Sequence, residues 1–239
     1  MTRRAPRAVA REIIDAAVRE LVHRGPVRRL GPMRFHGRPH ELDLHIEAEM
    51  WPDRTGRYFR VLWGIDRREL HDAGSPVGAE HCILGGDLEG LLGRGAGVLP
   101  IKLPGERAGL LDLLPRIGSA RPSNFEEAVE FVRSALLDEF LPLTERLRTR
   151  TELAEYLAVN RRSIDRNGLR PEGEVKDLWA ARLLIDAGRI ESALPHVLTY
   201  LRESTAEPET RAEAMAAIRS AMAEVDPDYD LDRALRPSG

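Results

Sequence analysis

The chain has 239 residues, of which 42% are hydrophobic and 31% are charged, and its formal net charge is −3. These values are typical of a globular protein and argue against an intrinsically disordered chain or a strongly basic nucleic-acid-binding protein. The length predicts one large domain, or one domain with a small appendage, which buries about 70–75% of its unfolded surface without a disulfide or metal.

The chain contains one cysteine, Cys82. A single cysteine makes an intrachain disulfide impossible and leaves a cysteine-based zinc site dependent on a second chain. Residues 1–22 lack the continuous apolar run of a signal peptide, and no stretch approaches the roughly 20 apolar residues of a membrane span. We therefore expect a cytoplasmic protein that does not enter a membrane.

Arginine accounts for all but two of the 36 basic residues, the exceptions being Lys102 and Lys176. This bias indicates a GC-rich bacterial genome. Residues 1–38 contain ten arginines against three acids, so nucleic-acid binding through the N-terminus is one hypothesis. The spacing of Arg11 and Asp15 instead predicts ion pairing along one face of a helix.

The first predicted element is an amphipathic helix over residues 8–23. Apolar side chains recur there at helical spacing: Val9, Ile13, Ile14, Ala17, Val18, Leu21 and Val22. This pattern predicts one buried face. Gly25 and Pro26 end the helix.

Five strands are predicted next, over residues 27–35, 42–50, 57–66, 81–84 and 98–103. The first is interrupted by Gly31 and Pro32, which favour a short or edge strand. The second alternates apolar and polar residues, so we expect one core face and one solvent-exposed face. A loop at residues 52–56 joins the second and third strands as an antiparallel pair.

Helices are predicted to follow, over residues 108–117, 125–141, 151–157, 174–187, 190–201 and 208–225. Ser123 and Glu126 form a predicted capping box, and Pro142 breaks or kinks the helix that follows, or starts the next one. The helix after Gly188 has an apolar stripe of Ile190, Ala193, Leu194, Val197, Leu198 and Leu201.

These elements predict an α+β fold with an N-terminal helix, an antiparallel sheet of about four to five strands and a helical C-terminal part. The predicted organisation is an α+β domain over residues 1–158, a linker over 159–173, and a helical hairpin plus a third helix over 174–235. The hairpin resembles one tetratricopeptide unit. One unit is too short for a stable solenoid, so we expect it to pack on the main domain.

Several segments resemble a bacterial domain-of-unknown-function family, the one numbered 4304. The strand Phe-Arg-Val-Leu-Trp-Gly-Ile at residues 59–65 is similar to that family's Phe-Thr-Val-Asn-Leu-Gly-Val. The segment His-Cys-Ile at residues 81–83, the helix at 125–141 and the helix at 151–157 resemble its later elements. Leu62 stands where the family has asparagine. The resemblance spans roughly residues 8–158 and implies a fold, since the family carries no established activity.

The strongest candidate metal site is Asp43, His45 and Glu47. Residues at i, i+2 and i+4 of a strand project to one face, about 6.6–7 Å apart, and all three are metal-binding types. His36 or His40 would add a ligand from the preceding turn. The alternative is the ordinary polar face of an antiparallel strand.

Other candidate sites are less specific. Cys82 beside His81 is a possible thiolate nucleophile, but adjacent strand residues point to opposite faces, so a buried structural cysteine is the alternative. The glycine-rich residues 85–97 contain neither a P-loop lysine pattern nor a Rossmann fingerprint, so we expect no nucleotide cofactor.

The leading functional hypothesis is a non-enzymatic interaction protein with a protein partner, for example an immunity protein of a bacterial conflict system. Its contact surface is predicted on the acidic strand face with Glu49 and the neighbouring Trp51, or in the glycine-rich middle. The alternatives are a metal-dependent hydrolase using Asp43, His45 and Glu47, and a nucleic-acid-binding protein.

Overall fold

The computed structural model describes residues 5–50, 58–67, 82–92, 101–104, 124–166 and 176–235. The strands are β1 (Arg28–Gly31), β2 (Arg34–Gly37), β3 (Leu44–Met50), β4 (Tyr58–Arg67), β5 (Cys82–Asp87) and β6 (Ile101–Lys102). The helices are α1 (Pro6–Arg24), α2 (Leu88–Leu91), α3 (Phe125–Ser134), a π-helix (Ala135–Phe140), α4 (Leu141–Arg146), α5 (Arg150–Arg166), α6 (Lys176–Asp186), α7 (Ile190–Glu203), α8 (Pro208–Val225) and α9 (Leu231–Ala234). The predicted α+β class is confirmed. The helix predicted at residues 108–117 lies outside the described residues.

The chain forms two compact units. The first comprises Met1–Arg148 with Arg162–Pro171, and the second comprises Thr149–Arg161 with Glu172–Gly239. The helix predicted to end at residue 157 continues as α5 to Arg166, so the first half of the predicted linker over 159–173 is helical.

The sheet of the first unit is antiparallel, with the strand order β1-β2-β3-β4-β5, and β6 also pairs with β4. In the central pair, Leu44 lies opposite Ile65 and Glu47 opposite Leu62. The segment predicted as one interrupted strand is a β1–β2 hairpin. The interruption recognised at Gly31 and Pro32 is the turn between the two strands. His36, which was expected in a turn, lies in β2.

Helix α1 packs on the apolar face of the sheet. Its buried residues are Ala10, Ile13, Ile14, Ala17, Val18 and Leu21. Gly25 ends the helix with a φ of 89°, a left-handed conformation that glycine adopts without steric cost. On the sheet side of this core, Trp63 makes an edge-on contact with Phe140, their ring centroids 5.7 Å apart.

The polar face of β3 was expected to be exposed to solvent, and this prediction is wrong. His45 is 6% exposed and Glu47 is 9% exposed, so the strand is buried on both faces along most of its length. Alternation of polar and apolar residues reports which face a side chain occupies, but it does not report whether that face is covered.

The helix after the sheet begins one residue later than the predicted capping box. Asn124 is the N-cap, and its side-chain oxygen accepts a hydrogen bond of 2.9 Å from the backbone N–H of Glu127. Pro142 lies in the first turn of α4, which is one of the predicted alternatives. The π-helix immediately before it widens the helix where the proline cannot donate a backbone hydrogen bond.

The second unit is helical. Helix α6 packs against both α7 and α8. Gly188 lies in the short turn after α6 and has a left-handed backbone conformation, with a φ of 72°. Among the helices in the described part of the chain, none combines the length and apolarity that a membrane crossing requires.

Candidate functional site

The β2–β3 register brings together side chains that are distant in sequence. His36 lies directly opposite His45, and the two rings are 4.8 Å apart at their centroids. His36 Nε2 is 3.1 Å from Asp43 Oδ1. Two of the three predicted metal ligands therefore share a cluster with His36, one of the two histidines proposed as an additional ligand.

Glu47, the third predicted ligand, is engaged elsewhere. Its Oε1 accepts a hydrogen bond of 2.6 Å from Arg34 Nε. Within the described residues, no group of three His, Cys, Asp or Glu side chains is arranged to hold a metal ion. The local geometry thus favours a polar network of paired groups at Asp43, His45 and Glu47.

The carboxylates of the predicted acidic contact surface have partners where this surface is described. Glu49 is half-buried and forms an ion pair with Arg60 across the β3–β4 ladder. Glu47 and Asp43 have Arg34 and His36 as neighbours. A surface on which the carboxylates are paired offers little net charge to a partner. Trp51, the other predicted contact residue, lies outside the described residues.

The arginines of the N-terminal segment are partly neutralised as well. Arg29 forms an ion pair with Asp15 of α1 and lies over the ring of Phe35, with 5.0 Å between the guanidinium carbon and the ring centroid. Arg34 pairs with Glu47. Phosphate-binding arginines need free donors, so these two residues are poor candidates for nucleic-acid contacts.

Cys82 is fully buried on β5. A sealed thiol has no access to a substrate, which agrees with the alternative of a structural cysteine. His81 lies outside the described residues. Gly85, from the glycine-rich middle, serves close packing: a Cβ at this position would lie 2.5 Å from the carbonyl oxygen of Trp63.

In the second unit, a buried pair joins α6 to α7. His196 Nδ1 lies 2.9 Å from Asp177 Oδ1, and the residues are 2% and 3% exposed. Hydrogen bonding compensates part of the cost of burying these polar groups. The pair is a buried polar contact between α6 and α7, beside their apolar packing.

The outer face of α7 carries three apolar side chains that are partly exposed. The buried residues of α7 are Ile190, Ala193, His196, Val197 and Tyr200. Leu198 is 45% exposed, and Leu194 and Leu201 are half-buried. These three leucines recur at i, i+4 and i+7, so they form one stripe beside the buried one. We call them the leucine stripe.

An acid is held near one end of the leucine stripe. Glu191 Oε1 accepts a hydrogen bond of 3.2 Å from the hydroxyl of Tyr229, which lies between α8 and α9. Burial, together with this hydrogen bond and the negative charge of Glu191, raises the pKa of Tyr229 to about 12. The phenol therefore remains a donor at neutral pH. A basic residue, Arg202, lies near the other end of the stripe and is highly exposed.

This surface was not predicted from the sequence, because the apolar periodicity of α7 does not distinguish the leucine stripe from the buried face. Comparisons of the chain with protein-family models, with curated protein sequences and with solved structures find no match. The resemblance to the family numbered 4304 stays a prediction.

Proposed function

We propose that the protein is a non-enzymatic interaction protein that binds a protein partner through the leucine stripe of α7. The exposure of Leu198 between two half-buried leucines carries this proposal. A folded protein gains free energy when it covers such apolar area, at about 25 cal/mol per Å². An apolar stripe bordered by charged residues is the composition of a protein-binding helix face.

The contact surface proposed here differs from the acidic strand face predicted from the sequence. The carboxylates of that face have cationic or imidazole partners within the sheet, whereas Leu198 of the leucine stripe is 45% exposed. An immunity-type role is one form of this proposal, and a toxin-like gene beside the coding sequence would support it.

The test compares two variants in a quantitative pull-down of tagged full-length protein from its native host. Leu198→Asp places a charge in the leucine stripe. Val159→Asp is the matched control, because Val159 is 83% exposed on α5 and lies outside the stripe. We expect a stoichiometric partner that the wild type and Val159→Asp retain and Leu198→Asp loses. Equal retention by both variants contradicts the proposal.

The alternative is a metal-dependent hydrolase that uses Asp43, His45 and Glu47, although within the described residues no group of three such side chains is arranged to hold a metal ion. Elemental analysis of the purified protein tests it. Stoichiometric zinc or manganese that is lost in a His45→Ala variant would favour this second proposal over the first.

A further inference from the structure

The leucine stripe has a charge arrangement that selects one kind of partner. Glu191 and Arg202 are separated by eleven residues, which is close to three helical turns, so they lie in one row along the same flank of the stripe. The other flank is the buried one that contains Val197. The exposed border of the stripe is therefore acidic toward its N-terminal end and basic toward its C-terminal end.

Such a border is self-complementary under a two-fold rotation. When two copies of α7 pack antiparallel across the stripe, residues on the same flank face each other, and Leu194 of one copy lies opposite Leu201 of the other. Arg202 of the second copy then lies within about 3 Å of Glu191 along the helix axis, at 1.5 Å rise per residue. Two-fold dimers are the commonest symmetric assemblies.

Both charged residues are exposed. Glu191 accepts a hydrogen bond at Oε1 from Tyr229, which helps to fix its position. Arg202 contacts the adjacent Glu203 at 3.4 Å, with both side chains more than half exposed. An exposed pair between adjacent residues contributes little, so Arg202 is able to exchange it for an intermolecular partner.

We infer that the occupant of the leucine stripe is a second copy of this chain, docked as an antiparallel α7–α7 pair with reciprocal Glu191–Arg202 ion pairs. This inference rests on the proposed function, since it uses the same surface. An interface made of one helix face from each chain belongs to the weak class, below about 1,200 Å² in total. We therefore expect a reversible, concentration-dependent dimer.

Sedimentation equilibrium of the full chain from about 1 µM to about 1 mM tests the inference, a range that covers weak association. We expect a monomer–dimer equilibrium that Leu198→Asp weakens by about 100-fold, as for a residue central to an interface. Val159→Asp is expected to associate like the wild type. A wild type that stays monomeric throughout, or association unaffected by Leu198→Asp, overturns the inference.

A charge reversal tests the antiparallel geometry. Arg202→Glu places two acids together at each end of the pair and is expected to weaken association about 5-fold. Adding Glu191→Arg re-forms both ion pairs with reversed sign, so the double variant is expected to recover. A double variant weaker than Arg202→Glu contradicts the reciprocal pairing. A monomeric protein that still captures a different partner through Leu198 overturns the self-association alone and leaves the proposed function standing.

Discussion

At the scale of single residues, polar side chains determine much of the local geometry. The pair His196–Asp177 is buried between α6 and α7, and Arg34 holds the nearly buried Glu47 on the sheet. A buried ionisable group is costly unless it is paired, and removing one partner of such a pair is more damaging than replacing both by apolar groups. These pairs therefore specify orientation more than they add stability.

Tyr229 gives a pH-dependent prediction at this scale. Its pKa is about 12 in the folded protein and about 10 in an unfolded chain. The unfolded state loses the proton first, so the stabilisation is complete below pH 10 and is lost as the pH rises toward about 12. The Tyr229→Phe variant lacks this dependence.

Urea denaturation at several pH values from 8 to 12 measures this effect. We expect the difference in free energy of unfolding between wild type and Tyr229→Phe to shrink as the pH rises above about 10. Taking the difference removes the contributions of other ionisable groups that both proteins share. A difference that is constant across this range would show that the phenol is not held as the structure describes.

At the scale of elements, the β1–β2 hairpin fits closely against the segment that precedes it. A Cβ at Gly37 would lie 1.8 Å from the carbonyl oxygen of Pro26 and 2.9 Å from Cα of Val27. Both are backbone atoms, so a larger residue requires the hairpin itself to move. Gly31 is the contrasting position, because the nearest atom to its Cβ is Cβ of Arg34 at 3.8 Å.

Alanine at these two glycines is therefore a matched comparison. We expect Gly37→Ala to lower the free energy of unfolding by about 3 kcal/mol or more, the upper end of overpacking. Gly31→Ala is expected to change it by about 0.5 kcal/mol or less. Chemical denaturation of both variants checks this. Similar losses at the two positions would mean that the close approach to Pro26 is absent in solution.

The edge strand β1 has features that disfavour pairing with a strand of another molecule. In the described residues, β1 is the terminal strand, four residues long, with a register shift between Arg29 and Gly31. Arg29 also donates to the carbonyl oxygens of Gly31 and Pro32. Short, bulged and charged edges resist pairing with other strands, so the sheet edge is a poorer docking site than the leucine stripe.

At the scale of the whole molecule, the buried cysteine reports global opening of the sheet unit. Cys82 is 0% exposed on β5, which pairs with the central strand β4. A thiol reagent reaches it only when the surrounding sheet opens, so its reaction rate follows the stability of that unit.

We expect native protein to react slowly with the aromatic disulfide dithiobis(nitrobenzoate). Denatured protein is expected to release one equivalent of thionitrobenzoate at once. Raising urea below the unfolding midpoint is expected to accelerate the native reaction in step with the loss of stability. Rapid stoichiometric reaction of native protein would place the thiol at the surface and contradict the described burial.

Much of the fold was predictable because its signals are local. The periodicities of α1, β3 and β4 depend on neighbours within the same segment, and they correctly predicted these elements and the α+β class. The strand interruption at Gly31 and the helix end at Gly25 were recognisable for the same reason. Element ends were less accurate where competing caps stood side by side, as at Asn124.

The candidate site was not predictable, because it depends on which faces remain uncovered. Periodicity identified the leucines of α7 as apolar, but only the packing of α6 on α7 decided that Leu198 stays exposed. Periodicity likewise identified His45 and Glu47 as polar, but only the tertiary structure showed that their face of β3 is buried. The sequence by itself determined the elements and their apolar faces, and the tertiary structure alone decided burial and long-range pairing. The physical reason is that both depend on residues far apart in the chain.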